Sequence, residues 1–177
     1  MLGTPPGKVV LVPCAPEWLS LFQKERDAIR TALGPLALQI RHIGSTSIPG
    51  MPAKPTIDIV VVVAALEDMD KCTGPLGSLG YRNRGFLFEG ESDHLYFSKP
   101  PDSGLPRTHQ IHMWEMKSDG WRRHVMFRDY LEANRDAFDQ YVALKQDLSV
   151  RHGNDRVAYA NAKDEFVKRI LAMSQER

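Results

Sequence analysis

The sequence predicts an α+β fold, with a mixed β-sheet in the first two thirds of the chain and a helical pair in the last third. Short apolar or alternating segments fill about residues 1–118, whereas residues 119–177 are polar-rich and repeat their apolar positions at helical spacing. The β-branched run at residues 57–63 predicts a central strand buried on both faces. Because 177 residues suffice for one well-buried domain and are few for two, residues 1–177 are expected to form a single domain.

Two strands and a helix are predicted ahead of the central strand. Residues 8–13, KVVLVP, are short and β-branched and predict an opening strand. A helix is predicted from Pro16, since proline is favoured in a first helical turn, to Gly34, since glycine commonly ends a helix. Residues 36–43 alternate between apolar and polar side chains and predict the second strand.

The elements after the central strand are predicted from spacing and from turn residues. Residues 66–79 predict a helix near the front and a loop behind it, because Gly74 and Pro75 interrupt the pattern. Further strands, separated by turns that contain Gly, Pro or Asp, are predicted at residues 81–88, 94–98 and 108–115. Long helices follow at residues 121–152 and 156–173, with the break between them at residues 153–155.

Charge and cysteine content exclude several classes of protein. The 23 Lys and Arg residues nearly balance the 22 Asp and Glu residues, so the sequence carries no strong nucleic-acid or membrane-surface signal. No apolar run approaches the roughly 18 residues that a transmembrane helix needs, and the N-terminus lacks the pattern of a secretory signal, so a cytoplasmic location is expected. Cys14 and Cys72 lack CxxC spacing, which argues against a disulfide framework or a four-thiolate zinc site.

The irregular stretch before the central strand has the composition of a phosphate-binding loop. Gly44 permits a positive φ and a close approach of the backbone. The next three residues offer hydroxyl groups beside backbone N–H groups that can converge on an anion: Ser45, Thr46 and Ser47. Such a turn suits a phosphate group.

Charged residues follow this turn on the way into the strand. Lys54 offers a positive charge, and Asp58 is a lone carboxylate near the start of the apolar run. A carboxylate there needs a metal, a cation or a hydrogen-bond donor. The alternative is a purely structural turn in which Asp58 pairs with Lys54 or accepts hydrogen bonds from backbone N–H groups.

The stretch HIGSTSIPGMPAKPTIDI, at residues 42–59, closely resembles the signature of the GrpB family, also called UPF0157. The resemblance extends to VVLVPCAPEW, RTHQIHMWE, HVMFRDYLEAN and YVALKQDL, so it covers nearly the whole chain. GrpB proteins are largely uncharacterised members of the nucleotidyltransferase-like superfamily, and some are fused to dephospho-CoA kinase. The resemblance therefore implies a nucleotidyltransferase-like mixed sheet with flanking helices.

For function, the resemblance implies a Gly-Ser turn that grips nucleotide phosphate while strand carboxylates hold a divalent metal. Gly44 and Ser45 match the Gly-Ser pair, and Asp58 matches the carboxylate on the following strand. The implied reaction is attack of a hydroxyl on the α-phosphorus of a nucleoside triphosphate, with Mg²⁺ or Mn²⁺ assisting and pyrophosphate leaving. The implied partner is a nucleotide or another phosphorylated small molecule.

The strand departs from the superfamily's two-metal pattern after Asp58. Two Mg²⁺ ions normally need an Asp-x-Asp pair on the strand and a third carboxylate on a neighbouring strand. Here the strand reads Asp58-Ile59-Val60, and Val60, which shares a strand face with Asp58, cannot bind a metal. Phosphate binding does not depend on this position and remains the expectation.

A second dense stretch, RTHQIHMWE, contributes a histidine that could act near the loop. If Ile111 and Met113 face the core, His112 points to the other face of the strand and is a candidate base or metal ligand, provided that Asp58 lies on the same side. His42, Asp58 and His112 could together hold one metal ion, including Zn²⁺. The alternative is that the histidines are hydrogen-bonded sheet residues.

Basic residues elsewhere are further candidate ligands. Arg107 opens the histidine stretch, and Arg128 lies one helical turn beyond His124, from where it can point toward an anion. Pairing of such arginines with surface carboxylates is the alternative. Lys163 could reach a substrate only if the last helix covers the site.

Three functions are compatible with these residues. The first, which the resemblance favours, is a nucleotidyltransferase-like enzyme with Asp58 and His112 in catalysis and the loop, Lys54, Arg107 and Arg128 on phosphate. The second is a binding module for a nucleotide or a coenzyme A precursor that keeps the phosphate turn without catalytic metals. The third is a metal-dependent hydrolase built on the histidine and aspartate set.

Overall fold

The computed structural model describes residues 2–86, 93–100 and 104–175, which form one five-stranded sheet and six α-helices. The strands are β1 (Gln39–Ile43), β2 (Ile57–Val63), β3 (Arg82–Phe86), β4 (His94–Lys99) and β5 (His109–Glu115). The helices are α1 (Glu17–Leu33), α2 (Leu66–Ser78), α3 (Asp119–Ala133), α4 (Arg135–Arg151), α5 (Arg156–Asn161) and α6 (Asp164–Gln175). None of the helices in these ranges is long and apolar enough to cross a membrane.

The sheet has the strand order β1-β2-β5-β4-β3. The β2–β5 pair is parallel, and the β1–β2, β3–β4 and β4–β5 pairs are antiparallel, so the predicted mixed sheet is confirmed. β2 has a strand on each side, and Asp58 is the one residue of this strand that is not buried. The prediction of a central strand at residues 57–63 is therefore confirmed.

Different helices pack against the two faces of the sheet. One face packs on α1 and α2 through a large apolar core that includes Phe22, Ile59 and Leu76. The opposite face carries Asp58, because successive residues of a strand point to opposite sides, and it faces the C-terminal helices. The fold thus leaves Asp58 on the side where the sheet meets the second half of the chain.

The C-terminal region contains four helices instead of the predicted pair. Asn134 has extended backbone angles, φ −130° and ψ 99°, and its side-chain amide donates to the Tyr130 carbonyl at 2.7 Å. This residue separates α3 from α4, so the single helix predicted at residues 121–152 is wrong. The helix predicted at residues 156–173 is likewise divided by a turn at Ala162 and Lys163.

The predicted break between the two halves of this region is confirmed. The Asp155 carboxylate accepts hydrogen bonds from the backbone N–H groups of Val157 and Ala158, each at 3.0 Å. These bonds satisfy donors that the first turn of a helix leaves free. Asp155 therefore fixes the start of α5.

The predicted opening strand at residues 8–13 is wrong. Val12 forms an isolated bridge with Ala53, while Val9 packs against Leu148 and Tyr159. The segment is an extended strap between the loop before β2 and the C-terminal helices. Its apolar residues reflect burial in this position and not membership of the sheet.

The other predicted elements agree with the structure apart from details at their ends. α2 continues through Pro75, so the loop expected behind its first half is wrong. Cys72 and Leu76 are fully buried on either side of this proline, and their packing stabilises the helix despite the lost backbone hydrogen bond. In the strand predicted at residues 81–88, Leu87 and Phe88 lie outside the described residues.

Candidate functional site

A cleft of about 820 Å³ lies between the Asp58 face of the sheet and the C-terminal helices. β2, β5 and the Gly44 turn contribute to its floor, and α3, α4, α5 and α6 contribute to its walls. We call one group of lining residues the cationic end: Ser45, Lys54, Asp58, Lys145 and Lys163. We call another group the histidine end: His94, His112, Trp114 and His124.

Gly44 brings the turn directly against Asp58. Ile43 is the ladder partner of Asp58, so the chain leaves β1 beside this carboxylate. Gly44 has φ 69° and ψ −176°, a conformation almost confined to glycine. A Cβ atom at this position would lie 2.6 Å from Oδ2 of Asp58. The prediction that Gly44 allows a positive φ and a close backbone approach is confirmed.

Asp58 lies at the floor of the cleft among positive charges. Burial raises the pKa of its carboxyl to about 6, and the charges of Lys54, Lys163 and Arg107 act in the opposite direction. At neutral pH the carboxylate is therefore largely ionised, and the nearby cations stabilise that form.

Lys54 and Lys163 both lie close to the ring of Tyr159, which also lines the cleft. Their Nζ atoms lie 5.4 and 4.7 Å from the centroid of the Tyr159 ring. Burial lowers the pKa of Lys54 to about 8, with the charge of Lys163 as the next cause. Burial also lowers the pKa of Lys163, although Asp58 and Asp164 oppose this effect. Burial thus disfavours the charged form of both lysines.

Lys145 fixes α4 to the loop that precedes β2. Its Nζ donates to Ser45 Oγ at 3.1 Å and to the Pro52 carbonyl at 2.5 Å. The side chain is 2 % exposed. Burial lowers its pKa to about 7, and the charges of Lys163 and Lys54 lower it further.

We expect the buried Lys145 to make the free energy of unfolding rise with pH above about 7. An unfolded lysine holds its proton up to about pH 10.5, whereas folded Lys145 begins to lose it near pH 7. The unfolded chain therefore binds more protons in this interval, and the rise from this one group is at most about 1.4 kcal/mol per pH unit. Below pH 7 both states are protonated and the contribution to the slope disappears.

Urea unfolding at pH 7, 8 and 9 measures this slope. Lys145→Met should give a shallower rise than the wild type, whereas Lys24→Met, which changes an exposed lysine of α1, should keep the wild-type rise. Equal slopes for all three proteins would contradict the assignment to Lys145.

Arg107 is not one of the residues that line the cleft. Its Nη1 donates to the Tyr96 hydroxyl at 2.9 Å, and that hydroxyl donates to Oε1 of Gln110. Gln110 is the ladder partner of Asp58. Arg107 therefore acts on Asp58 through its charge, although it does not itself line the cleft.

His112 lies on the same face of the sheet as Asp58, as the alternation of β5 predicts. Its Nδ1 is 3.0 Å from Nε2 of His94, and its ring centroid lies 5.8 Å from that of Trp114 and 5.7 Å from that of His124. Burial lowers the pKa of His94 to about 4 and that of His112 well below its usual range. Both imidazoles are therefore neutral at pH 7, and neutral aromatic rings line the sheet side of this end, with the Asp93 carboxylate beside His94.

His42 does not join Asp58 and His112. It is the ladder partner of Ile59, so it points to the opposite face of the sheet from Asp58. There its ring stacks on Phe22, with centroids 4.6 Å apart. The predicted three-residue metal set is therefore not brought together.

Two predicted phosphate ligands stabilise the loop itself. Thr46 is buried, and its Oγ1 donates to the Thr56 carbonyl at 3.2 Å. Ser47 Oγ donates to the Gly44 carbonyl at 2.6 Å, and Ser47 does not line the cleft. These bonds shape the turn that presents Gly44 and Ser45.

Arg128 also supports the turn from outside the cleft. Its Nη1 donates to the His42 carbonyl at 2.7 Å, and its Nη2 forms an ion pair with Asp129 at 2.5 Å. Arg128 is not a lining residue. The structure therefore gives it contacts that hold the end of β1, in place of the predicted position over an anion.

The residues around Asp58 do not fit the two-metal site that the resemblance implies. Val60, the next residue on the same strand face, is 0 % exposed and belongs to an apolar cluster with Ile43, Val62, Trp114 and Trp121. On β5, the ladder partner Gln110 is neutral. Across the part of the chain that the structure describes, no group of three or more His, Cys, Asp or Glu side chains is arranged to hold a metal ion.

Sequence reasoning missed Lys145, although the sequence contains a signal for it. Phe138, Tyr141, Lys145 and Leu148 recur at helical spacing and are all buried in α4. A lysine within an otherwise apolar stripe is rarely buried unless it has partners, so this pattern marks a residue with specific contacts.

The sequence predicts that Lys163 can reach a substrate only if the last helix covers the site. α6 does contribute to the wall of the cleft, and Lys163 lines it.

Comparison with known proteins identifies relatives along almost the whole chain. Residues 8–173 match the family model described as GrpB protein. The chain is 38% identical over 174 residues to Glutamate-rich protein GrpB of Alkalihalophilus pseudofirmus, covering 97% of this chain and 98% of that protein. It is 35% identical to UPF0157 protein YqkA of Bacillus subtilis, covering 93% of this chain and 46% of that protein. It is 30% identical to a dephospho-CoA kinase of Mycolicibacterium paratuberculosis, covering 90% of this chain and 44% of that protein.

Comparison with solved structures agrees with the GrpB family and shows the fold. The crystal structure of conserved protein GrpB from Enterococcus faecalis superposes with a TM-score of 0.84 at 32% identity, covering 94% of this chain and 98% of that chain. Terminal uridylyl transferase 4 from Trypanosoma brucei, with bound dUTP, superposes with a TM-score of 0.55 at 14% identity, covering 90% of this chain and 53% of that chain. At this identity the second likeness concerns the fold alone, and the predicted nucleotidyltransferase-like fold is confirmed.

Proposed function

Because this chain belongs to the GrpB family and has a nucleotidyltransferase-like fold, we propose that it binds a nucleotide or another phosphorylated small molecule in the cleft. The phosphate groups lie at the cationic end, against Gly44 and Ser45. The organic part of the ligand extends toward the aromatic side chains of the histidine end. The proposal includes the cytoplasmic location expected from the sequence.

One observation carries the proposal: three lysines line the same end of the cleft as the Gly44–Ser45 turn, and one of them donates a hydrogen bond to Ser45. Lys145 reaches Ser45 from α4, a hundred residues along the chain, and Lys54 and Lys163 line the same end of the cleft. Burying like charges together is unfavourable unless an anion compensates for them. A phosphate group supplies that anion and accepts hydrogen bonds from the Ser45 hydroxyl and the lysines.

The relatives narrow the choice of ligand to test. The uridylyl transferase of similar fold has dUTP bound, which motivates nucleoside triphosphates as probes. The relative named dephospho-CoA kinase motivates coenzyme A precursors, which also carry phosphate groups. Both compounds serve here as probes for the proposed binding site.

Nucleotidyl transfer with a divalent metal is the second candidate function, and its support is the fold. In that reaction Asp58 would hold the metal and His112 would act as a base. The hydrolase built on His42 receives no support, because His42 lies on the other face of the sheet. Binding is therefore the proposal, and transfer becomes worth assaying once a ligand is known.

Thermal unfolding tests the proposal. We expect one class among nucleoside triphosphates, coenzyme A precursors and simple phosphates to raise the unfolding midpoint. A ligand at 100 times its dissociation constant adds about 2.7 kcal/mol to the free energy of unfolding. Ser45→Ala should fold but lose most of this ligand-induced shift, because it removes a hydroxyl that donates to the phosphate.

Ser20→Ala is the matched control. Ser20 is exposed on α1, its hydroxyl donates to the Glu17 carbonyl, and it does not line the cleft. It should keep the full shift. The proposal is overturned if no phosphate compound shifts the wild type, or if Ser45→Ala binds as well as Ser20→Ala does.

A further inference from the structure

The cationic end of the cleft has the opposite charge composition to a two-metal site. Metal-dependent phosphoryl and nucleotidyl transfer uses several carboxylates that hold the cations, and the cations then face the phosphates. Here the charges of Lys54, Lys163 and Arg107 act on Asp58, and Lys145 lines the same end of the cleft. Asp164 is the other carboxylate that acts on Lys163. Positive charge is therefore already built into the protein.

The two positions next to Asp58 that could carry further metal ligands hold Val60 and Gln110, and neither side chain is available to a metal. Val60 is integrated into the apolar cluster beneath α3 and is closed to the cleft. The Gln110 side chain accepts the hydroxyl hydrogen bond of Tyr96, which Arg107 also contacts. Asp58 consequently offers a single carboxylate, whereas a Mg²⁺ ion bound mainly by protein needs several oxygen ligands.

We infer that the protein binds its phosphorylated ligand without a divalent metal, and that Lys54, Lys145 and Lys163 supply the positive charge that metal ions supply in two-metal sites. The inference rests on the proposed function, since it concerns the same cleft. Three lysines at one end of the cleft match a ligand that carries several negative charges, such as a diphosphate or triphosphate.

This arrangement makes a divalent metal a competitor. A bound phosphate favours the protonated form of Lys145, so a free polyphosphate presents its full negative charge to three ammonium groups. In its Mg²⁺ complex part of that charge is neutralised. Added Mg²⁺ should therefore weaken binding, because the lysines repel the bound metal. A two-metal site would behave in the opposite way.

Isothermal titration calorimetry of the full chain with inorganic tripolyphosphate separates the two cases. We expect binding in excess chelator and about tenfold weaker binding when Mg²⁺ exceeds the tripolyphosphate. Binding that requires Mg²⁺ or Mn²⁺ overturns this inference and leaves the proposed function standing. Absence of binding with and without metal, for tripolyphosphate and for ATP, overturns both.

Single-charge variants assign the binding to the lysines. Lys54→Gln and Lys163→Gln should each weaken tripolyphosphate binding in chelator by about tenfold or more, because each removes a charged hydrogen-bond donor. Lys24→Gln makes the same chemical change at an exposed position on α1 and should bind like the wild type. Circular dichroism melts confirm that each variant is folded before titration. Wild-type affinity in folded Lys54→Gln and Lys163→Gln would overturn the inference.

Discussion

Replacing Gly44 with alanine is expected to abolish phosphate binding and to lower the free energy of unfolding by about 2 kcal/mol. The backbone at this position has φ 69° and ψ −176°, which strains any residue with a Cβ atom. The new methyl group would also meet the Asp58 carboxylate. The turn must therefore move, and Ser45 moves with it away from Lys145.

Urea unfolding and tripolyphosphate titration of Gly44→Ala measure the two effects. Gly77→Ala is the matched control, because Gly77 lies in α2 and a Cβ atom there has no neighbour within 4 Å. That substitution should leave binding intact and leave stability unchanged or slightly higher. Unimpaired binding by Gly44→Ala would mean that the turn does not hold the phosphate.

Replacing Val60 with aspartate is expected to lower the free energy of unfolding by about 3 kcal/mol or more. The substitution restores the Asp-x-Asp spacing on β2, but Val60 is 0 % exposed and packs in an apolar cluster with Trp114 and Trp121. A carboxylate at this position would be buried without a partner. The second metal ligand is thus excluded by packing as well as by sequence.

Denaturant unfolding with and without Mg²⁺ measures the effect of Val60→Asp. Val10→Asp is the control, since Val10 is 45% exposed and a charge there stays in water. We expect Val10→Asp to remain within about 0.5 kcal/mol of the wild type. A Val60→Asp protein of wild-type stability that Mg²⁺ stabilises would contradict this description of the site.

The sequence predicts the elements whose stability is decided by local pattern. The β-branched run of β2 and the apolar spacing of α1, with Gly34 after its last residue, identify these elements from sequence. Prediction from sequence fails where tertiary contacts determine the secondary structure. Residues 8–13 have strand composition but cross the loop before β2, and Pro75 remains inside α2 because the residues beside it are buried.

The candidate site is predictable in its loop and not in its long-range contacts. Gly44 and Asp58 are near in sequence, and their opposition follows from two adjacent antiparallel strands. Lys145 lies in α4 and Lys163 in the turn between α5 and α6, and no local pattern specifies how these helices pack over the sheet. The face of His42 depends on the register of β1 against β2, and a one-residue shift of register reverses every side chain.

A crystal structure of the protein grown with tripolyphosphate in chelator tests the central claim most directly. The account predicts phosphate oxygens within hydrogen-bond distance of Ser45 Oγ and of the Nζ atoms of Lys54, Lys145 and Lys163. Tripolyphosphate found at another surface, or crystals of the ligand-saturated protein with an empty cleft, would contradict it.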